Sequence, residues 1–336
     1  MRIALDAMGS DAAPDAEVVG AIQAAPELKG HEVILVGDEA RIARVAARYG
    51  GIPRGVTVRH ASQAVTMHDP PVEAMRHKPD SSIARCIEMV AKGEVDAVVS
   101  AGNTGAVVAL ATFKLGMLEG VRRPGIAVGM PTRKADKTLV IDCGANVNCT
   151  PEHLFHYGIM ASAYSRYVFG NKHPRVGLLN IGEEATKGNR LVRHTQELLE
   201  GSGLNFVGSV EGRDIFTGET DVVVCEGFVG NVLLKVSEGM AETILSMMKD
   251  AIRRTLRRRI GAMLCKYAML ELKAKVDYAE FGGAPLLGVN GTVTICHGGS
   301  DSRAIAVALR AAAEAATHKV NQHIVADLKG RRASQP

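Results

Sequence analysis

Residues 100–106 read SAGNTGA, and their types suit an anion. Gly102 and Gly105 allow close backbone approach, Asn103 and Thr104 carry side-chain donors, and the stretch lies where an apolar run hands over to a helical pattern. A helix N-terminus at that point presents unpaired N–H groups and a positive dipole end. Together these make a site suited to phosphate. The competing reading is a glycine turn with no ligand. No lysine follows in a GK[ST] context and no GxGxxG is formed, so nucleotide binding is not implied.

Five more stretches share this polar, glycine-rich character: Asp6 to Asp11, DCGANVN (142–148), NIGEEATKGN (180–189), CEGFVGNVLLK (225–235) and CHGGSD (296–301). Lys187 is the one lysine of the loops proper, since Lys235 falls in the helical pattern that follows its loop. Helix N-termini repel cations, so Lys187 is read as a catalytic group that neutralises phosphate or a developing oxyanion. Asn231, in GFVGN, is read as a second catalytic donor, with a cap or turn asparagine as the alternative. His297 suits a general acid for a leaving group or a phosphate ligand, against a structural role after a buried strand. Asp6 and Asp142 lack the partner spacing of a metal site or carboxylate dyad. With Gly9, Asn146 and Ser300 they are read as groups that orient the loops or the substrate. Cys143 and Cys225 have no neighbouring base in sequence, which argues against an acyl-cysteine intermediate. Neither a metal nor a cofactor is expected.

The elements that must position these residues are legible as short apolar runs: RIALDA, EVILVG, VTVRH, VDAVVS, GIAVGM, TLVIDC, RVGLLNI, LNFVGSV, DVVVCEG and TVTIC. Most are continuous rather than alternating, as a sheet covered on both faces requires. Helical patterns lie between them at 15–25, 38–49, 80–93 and 151–168, the last opening with Thr150 as N-cap and Pro151 at the first position. The alternation predicts an α/β fold: a three-layer α/β/α sandwich with a mostly parallel, doubly wound sheet. Residues 1–329 form one α/β domain, with a helical insertion at about 240–275 and a disordered tail at 330–336. All six loops are then expected at one sheet edge, outside the carboxyl ends of the strands.

The 336 residues carry a formal net charge of +4 and no tryptophan, with 4% aromatics. That is too mild a charge for nucleic acid on its own, and a base-stacking surface is not expected. The six cysteines form no CxxC, and the expectation is reduced thiols in a cytoplasmic protein. MRIALDAMGSDAAP does not read as a signal peptide, and no run approaches a membrane span.

Taken together, ALDAMGSDAAP (4–14), SAGNTGA, DCGAN (142–146), GLLNIGEEATKGN (177–189), CEGFVGNVLLKVSEG (225–239), GAPLLGVNG (283–291) and HGGSD (297–301) resemble the phosphate acyltransferase family PlsX. The match runs in order along nearly the whole chain. It departs at Ser10, where the family usually has Gly, and at Cys225–Glu226, where Asp is usual before the GF pair. The resemblance implies transfer of a long fatty acyl group from acyl carrier protein to inorganic phosphate, giving acyl phosphate for phospholipid synthesis. It also implies a fold related to phosphate acetyltransferases and isocitrate dehydrogenase, and a homodimer. Phosphate is already an anionic nucleophile and a thioester is already activated, so positioning and oxyanion stabilisation are the main tasks. The alternatives are a phosphate acetyl- or butyryltransferase acting on short acyl-CoA, a metal-dependent hydroxyacid dehydrogenase, and a non-catalytic membrane or carrier-protein scaffold.

Residues 251–270, AIRRTLRRRIGAMLCKYAML, carry six basic residues and no acid. Leu256, Ile260 and Met263 recur at helical spacing beside Leu264, with Arg257 and Arg258 among the charges, and Gly261 is expected to mark a bend or hairpin tip. The segment is read as peripheral contact with anionic membrane or acyl carrier protein. A dimer-packing or core helix is the alternative.

Overall fold

The computed structural model describes residues 1–134, 136–182, 184, 187–276 and 282–332. The strands are β1 (Arg2–Asp6), β2 (Glu32–Gly37), β3 (Val56–His60), β4 (Ala97–Ser100), β5 (Gly125–Pro131), β6 (Lys137–Ile141), β7 (Arg175–Leu179), β8 (Asn205–Val210), β9 (Val222–Val224), β10 (Ala284–Leu287) and β11 (Thr292–Ile295). They form one sheet in the order β3-β2-β1-β4-β11-β10-β5-β6-β9-β7-β8. The helices are α1 (Asp15–Ala24), α2 (Glu39–Ala47), α3 (Pro71–His77), α4 (Ser82–Ala91), α5 (Thr104–Leu115), α6 (Pro151–Tyr167), α7 (Arg190–Glu200), α8 (Gly227–Arg253), α9 (Leu256–Leu264), α10 (Lys266–Val276), α11 (Ser302–Thr317) and α12 (Val320–Arg332).

Alternate strand residues enter different cores. Ile3 and Leu5 of β1 pack with Val18 and Ala21 of α1 and with Ile305 and Leu309 of α11. Ala4, between them, faces a second core with Ile83 and Ile87 of α4 and Val107 and Leu110 of α5. In the other half, Leu139 and Ile141 of β6 and Val222 and Val224 of β9 meet α6 and α12. Both faces are thus covered, which is why the strands read as continuous apolar runs. The entry to α6 is a capping box, in which Thr150 accepts from the His153 amide and the His153 ring accepts from the Thr150 amide.

The strand directions correct the expectation of a single loop-bearing edge. β3, β2, β1, β4 and β11 run parallel, and so do β6, β9, β7 and β8. Between the two sets, β10 is antiparallel to β11 and to β5, and β5 is antiparallel to β6. Three antiparallel contacts reverse the second set against the first. The C-terminal ends of β1, β4 and β11 therefore point away from those of β6, β7 and β9, and the loops fall into two groups of three.

Two boundaries also differ from expectation. The break in the basic segment lies at Arg254–Thr255, where Thr255 caps α9 by accepting from the Arg258 amide. Gly261 sits inside α9, and a second break follows at Cys265, where α9 ends and α10 begins. The C-terminal stretch is helical through Arg332, so the disordered tail expected from residue 330 does not begin there, and 333–336 lie outside the described residues.

Candidate active site

The first loop group surrounds Asp6, which is buried at the end of β1. Its carboxylate accepts from the Ser100 hydroxyl at 2.7 Å and the Met8 amide at 3.3 Å, and burial raises its pKa against those bonds. Gly9 lies against the backbone of Gly102, and the Asp11 amide donates to Gly298. Asn103 spends its whole side chain on structure. Its oxygen caps α5 by accepting from Ala106, and its nitrogen donates to the carbonyls of Thr66, Met67 and Asp69 at 3.0–3.3 Å. Thr104, exposed, opens α5, and a Cβ on Gly105 would meet Pro71. His297 is exposed and accepts from the Gly299 amide through Nδ1, while Ser300 is buried and donates its amide to the His297 carbonyl. A cavity of about 320 Å³ opens beside this group, lined in part by Ser10, Asp11, Arg41, Thr66 and His68.

The second group is organised by Asp142, fully buried at the end of β6. One carboxylate oxygen accepts from the amides of Ile126, Gly144 and Ala145 at 2.9–3.1 Å. The other accepts from the Asn146 amide at 2.8 Å and its side chain at 3.2 Å. Burial raises the Asp142 pKa, and these donors oppose the rise. The Asn146 side chain also donates to Pro124 O at 2.6 Å and the Tyr157 hydroxyl at 2.8 Å, so its amide orients the loop. Helix α8 starts against this loop: the Gly227 amide donates to Asn146 O. Gly230 admits no side chain, because a Cβ would lie 2.0 Å from Asp142 O. That contact sets the next residue, Asn231, exposed beside Gly144. The first-turn N–H groups of α8 are those a helix leaves without intrahelical partners.

Lys187 lies in the loop after β7, two residues before Asn189, the N-cap of α7. Its ammonium is half exposed and pairs with Glu184 at 2.8 Å, which raises its pKa and keeps it cationic. The loop is held by Asn180, whose side chain accepts from the Ile181 amide and donates to Lys187 O and Ser209 Oγ. Gly188 has φ +93°, and a Cβ there would lie 2.6 Å from Asn180 Oδ1, so only glycine closes this turn. Asn180 and Tyr157 escaped the sequence reading. The signal for Asn180 was present in its place directly after an apolar strand.

A cavity of about 460 Å³ lies between this loop and the start of α8. Gly188 and Asn189, which follow Lys187, border it, as do Asn180 and Glu226. Cys143 and Cys225 are buried and their thiol pKa values are raised by desolvation, which disfavours thiolate at neutral pH. On α9, Leu256, Ile260, Met263 and Leu264 are all exposed, Leu264 to 83%. The Arg258 guanidinium donates to Ala251 O, and that of Arg259 donates to Arg253 O. Arg257 is exposed on the same helix. Among the described residues, no helix is long and apolar enough to cross a membrane.

Residues 1–323 match the family model described as fatty acid synthesis protein. The chain is 48% identical over 326 residues to a phosphate acyltransferase of Syntrophotalea carbinolica, covering 97% of this chain and 93% of the relative. It is 50% identical over 329 residues to a phosphate acyltransferase of Geotalea uraniireducens, covering 98% and 94%. Among solved structures it is similar to a phosphotransacetylase from Streptococcus pyogenes, with TM-score 0.63, 16% identity and 94% of each chain covered. The EutD phosphotransacetylase from Staphylococcus aureus matches with TM-score 0.61, 15% identity and the same coverage. These last likenesses establish the three-layer fold.

Proposed function

The chain belongs to the fatty acid synthesis protein family and is an acyltransferase that uses phosphate as acceptor; we propose that it takes a long-chain fatty acyl group from acyl carrier protein. The observation that carries the proposal is the cationic Lys187 in a loop whose Asn180, Gly188 and Asn189 border a mostly apolar cavity beside the first turn of α8. Phosphate attacks the thioester carbonyl carbon, the carbonyl oxygen becomes an oxyanion, and the carrier thiolate leaves as the acyl phosphate forms. Lys187 supplies positive charge to the phosphate or the oxyanion, exchanging its Glu184 partner for the substrate. Asn231 and the N–H groups opening α8 supply further donors. Asp142 acts through the loop it holds. The 100–106 loop, with Asn103 spent on its neighbours, is read as scaffold for the other edge, with only the Thr104 hydroxyl and the start of α5 left to meet an anion. His297, in that first group, is not assigned a step.

Two surfaces extend the proposal. Val232, Val236, Met240, Ile244 and Met247 recur at three- and four-residue spacing along α8 and are all exposed. A stripe of this kind suits a second copy of the chain, giving a homodimer. Beyond it, the exposed apolar side chains of α9 among arginines suit peripheral contact with an anionic membrane or with the acidic carrier protein. The test incubates phosphate with palmitoyl carrier protein, palmitoyl-CoA or acetyl-CoA and measures acyl phosphate. The carrier-bound palmitoyl donor is expected to be preferred, and Lys187→Ala is expected to lower turnover at least ~10²-fold in a folded protein. Preference for acetyl-CoA supports the short-chain reading instead. Near wild-type turnover of Lys187→Ala removes that residue from the site.

A further inference from the structure

The cavity beside Lys187 has a graded wall. Its two most buried lining side chains are Leu154, at the start of α6, and Cys225, at the end of β9, with 1% and 4% exposure. Leu191 and Val192 of α7 and Leu233 of α8 are half-buried around it. Ile181, 81% exposed, stands at its lip. Polar groups are confined to Asn180, Asn189 and Glu226, all on the loops or the helix start that carry the candidate chemistry. A half-open, mostly apolar volume bordered by the loop that carries Lys187 and backed by a buried leucine suits an amphiphilic ligand whose reactive head stays at the loop.

We propose that this cavity receives the fatty chain of the acyl donor from its carbonyl end, and that the floor made by Leu154 and Cys225 limits how many methylenes it accommodates. The inference rests on the long-chain reading of the same site and adds the residues that measure the chain. The occupant is fixed by continuity: Gly188 and Asn189 of the wall follow Lys187 in the chain, and Asn180 of the wall donates to Lys187 O. A chain entering there has its carbonyl end at the loop that carries Lys187. Each methylene buried from water contributes about 0.8 kcal/mol, about fourfold in kcat/KM, until the space is full.

The experiment compares kcat/KM for butyryl, octanoyl, dodecanoyl and palmitoyl carrier protein in the wild type and in two narrowing variants, Val192→Phe and Leu233→Phe. These enter the cavity from different helices. In the wild type, kcat/KM should climb with chain length and then level off. Each variant should lower the palmitoyl-to-butyryl ratio at least tenfold and move the plateau to shorter donors. Circular dichroism and gel filtration report folding and assembly of both. Should one variant misfold, the other carries the test. Should both misfold, displacement of a fluorescent 16-carbon fatty acid from the wild type by dodecanoate but not by butyrate decides it, and absence of binding overturns the proposal. A folded variant with an unchanged ratio overturns the assignment of the cavity while leaving the long-chain activity standing. So does one that loses activity equally on every donor or merely changes its oligomeric state. If the wild type makes acyl phosphate from acetyl donors alone, the long-chain reading itself falls.

Discussion

Asp142→Asn is the sharpest probe of how the second loop group is held. The substitution keeps volume and shape, so it creates no cavity, and it replaces one acceptor oxygen by an amide NH₂. In the best orientation the retained oxygen keeps Ile126, Gly144 and Ala145, and the new NH₂ faces the two donors of Asn146. The Asn146 amide then loses its acceptor, the Asn146 side chain keeps Pro124 O and the Tyr157 hydroxyl, and the remaining three donors lose a charged acceptor. An unsatisfied buried donor costs about 1–3 kcal/mol, and exchanging a charged for a neutral acceptor weakens the other three bonds, so the variant should be destabilised by about 2–4 kcal/mol in urea titrations followed by circular dichroism. Because Gly230 sits against Asp142 O and Asn231 follows it, the loop shift also displaces Asn231. A displacement near 1 Å costs about 10²-fold in rate, measurable as acyl phosphate trapped by hydroxylamine. A variant within about 1 kcal/mol of wild type and within about threefold in turnover refutes the argument that this carboxylate organises the site.

Glu17, on the first turn of α1, gives a pH test. Burial, with repulsion from Asp6, pushes its carboxyl up to about 7 from its usual 4.5, against hydrogen bonds from Ser10. The folded state therefore holds a proton that the unfolded chain releases, stability falls as pH rises from about 4.5 to 7, and the full cost of roughly 3 kcal/mol is present above that. Glu17→Gln should flatten this slope in denaturation curves between pH 5 and 8, and an unchanged slope assigns it to another group. On α9, Leu256→Glu with Ile260→Glu should strongly reduce co-sedimentation with anionic vesicles while turnover of soluble acyl-CoA is largely kept. Wild-type sedimentation by a variant that dissociates into monomers makes the segment a dimer helix.

The layers of the fold were legible because burial on both faces leaves a mark on every strand: the strand residues of VDAVVS and DVVV, Ala97–Ser100 and Val222–Val224, are all buried. Strand direction leaves no such mark, since an apolar run reads alike in either sense. A clue stood in the connections. GIAVGM ends at 130 and TLVIDC begins at 138, and the seven residues between are too few for a parallel crossover, which needs a dozen or more. Those two runs had to form a hairpin, as β5 and β6 do. The companion reversal was hidden, because β10 is four residues long and contains Pro285.

The reversal redistributes the chemistry as well as the loops. At a helix start, an asparagine that caps and an asparagine that binds a ligand look identical in sequence, because both place an acceptor and a donor beside free N–H groups. Only the partners separate them. Asn103 has all of its partners within the protein, and so does Asn146, whereas Asn231 is exposed on the first turns of a helix whose start is pinned by Asp142 and Asn146. Lys187 is proposed for a different reason: a cation just before a helix N-terminus opposes the dipole, and such a cost persists where something anionic compensates. In the free chain Glu184 compensates it. On the proposed assignment, a phosphate, carrying more charge than one carboxylate, displaces Glu184 and draws Lys187 to the reacting centre.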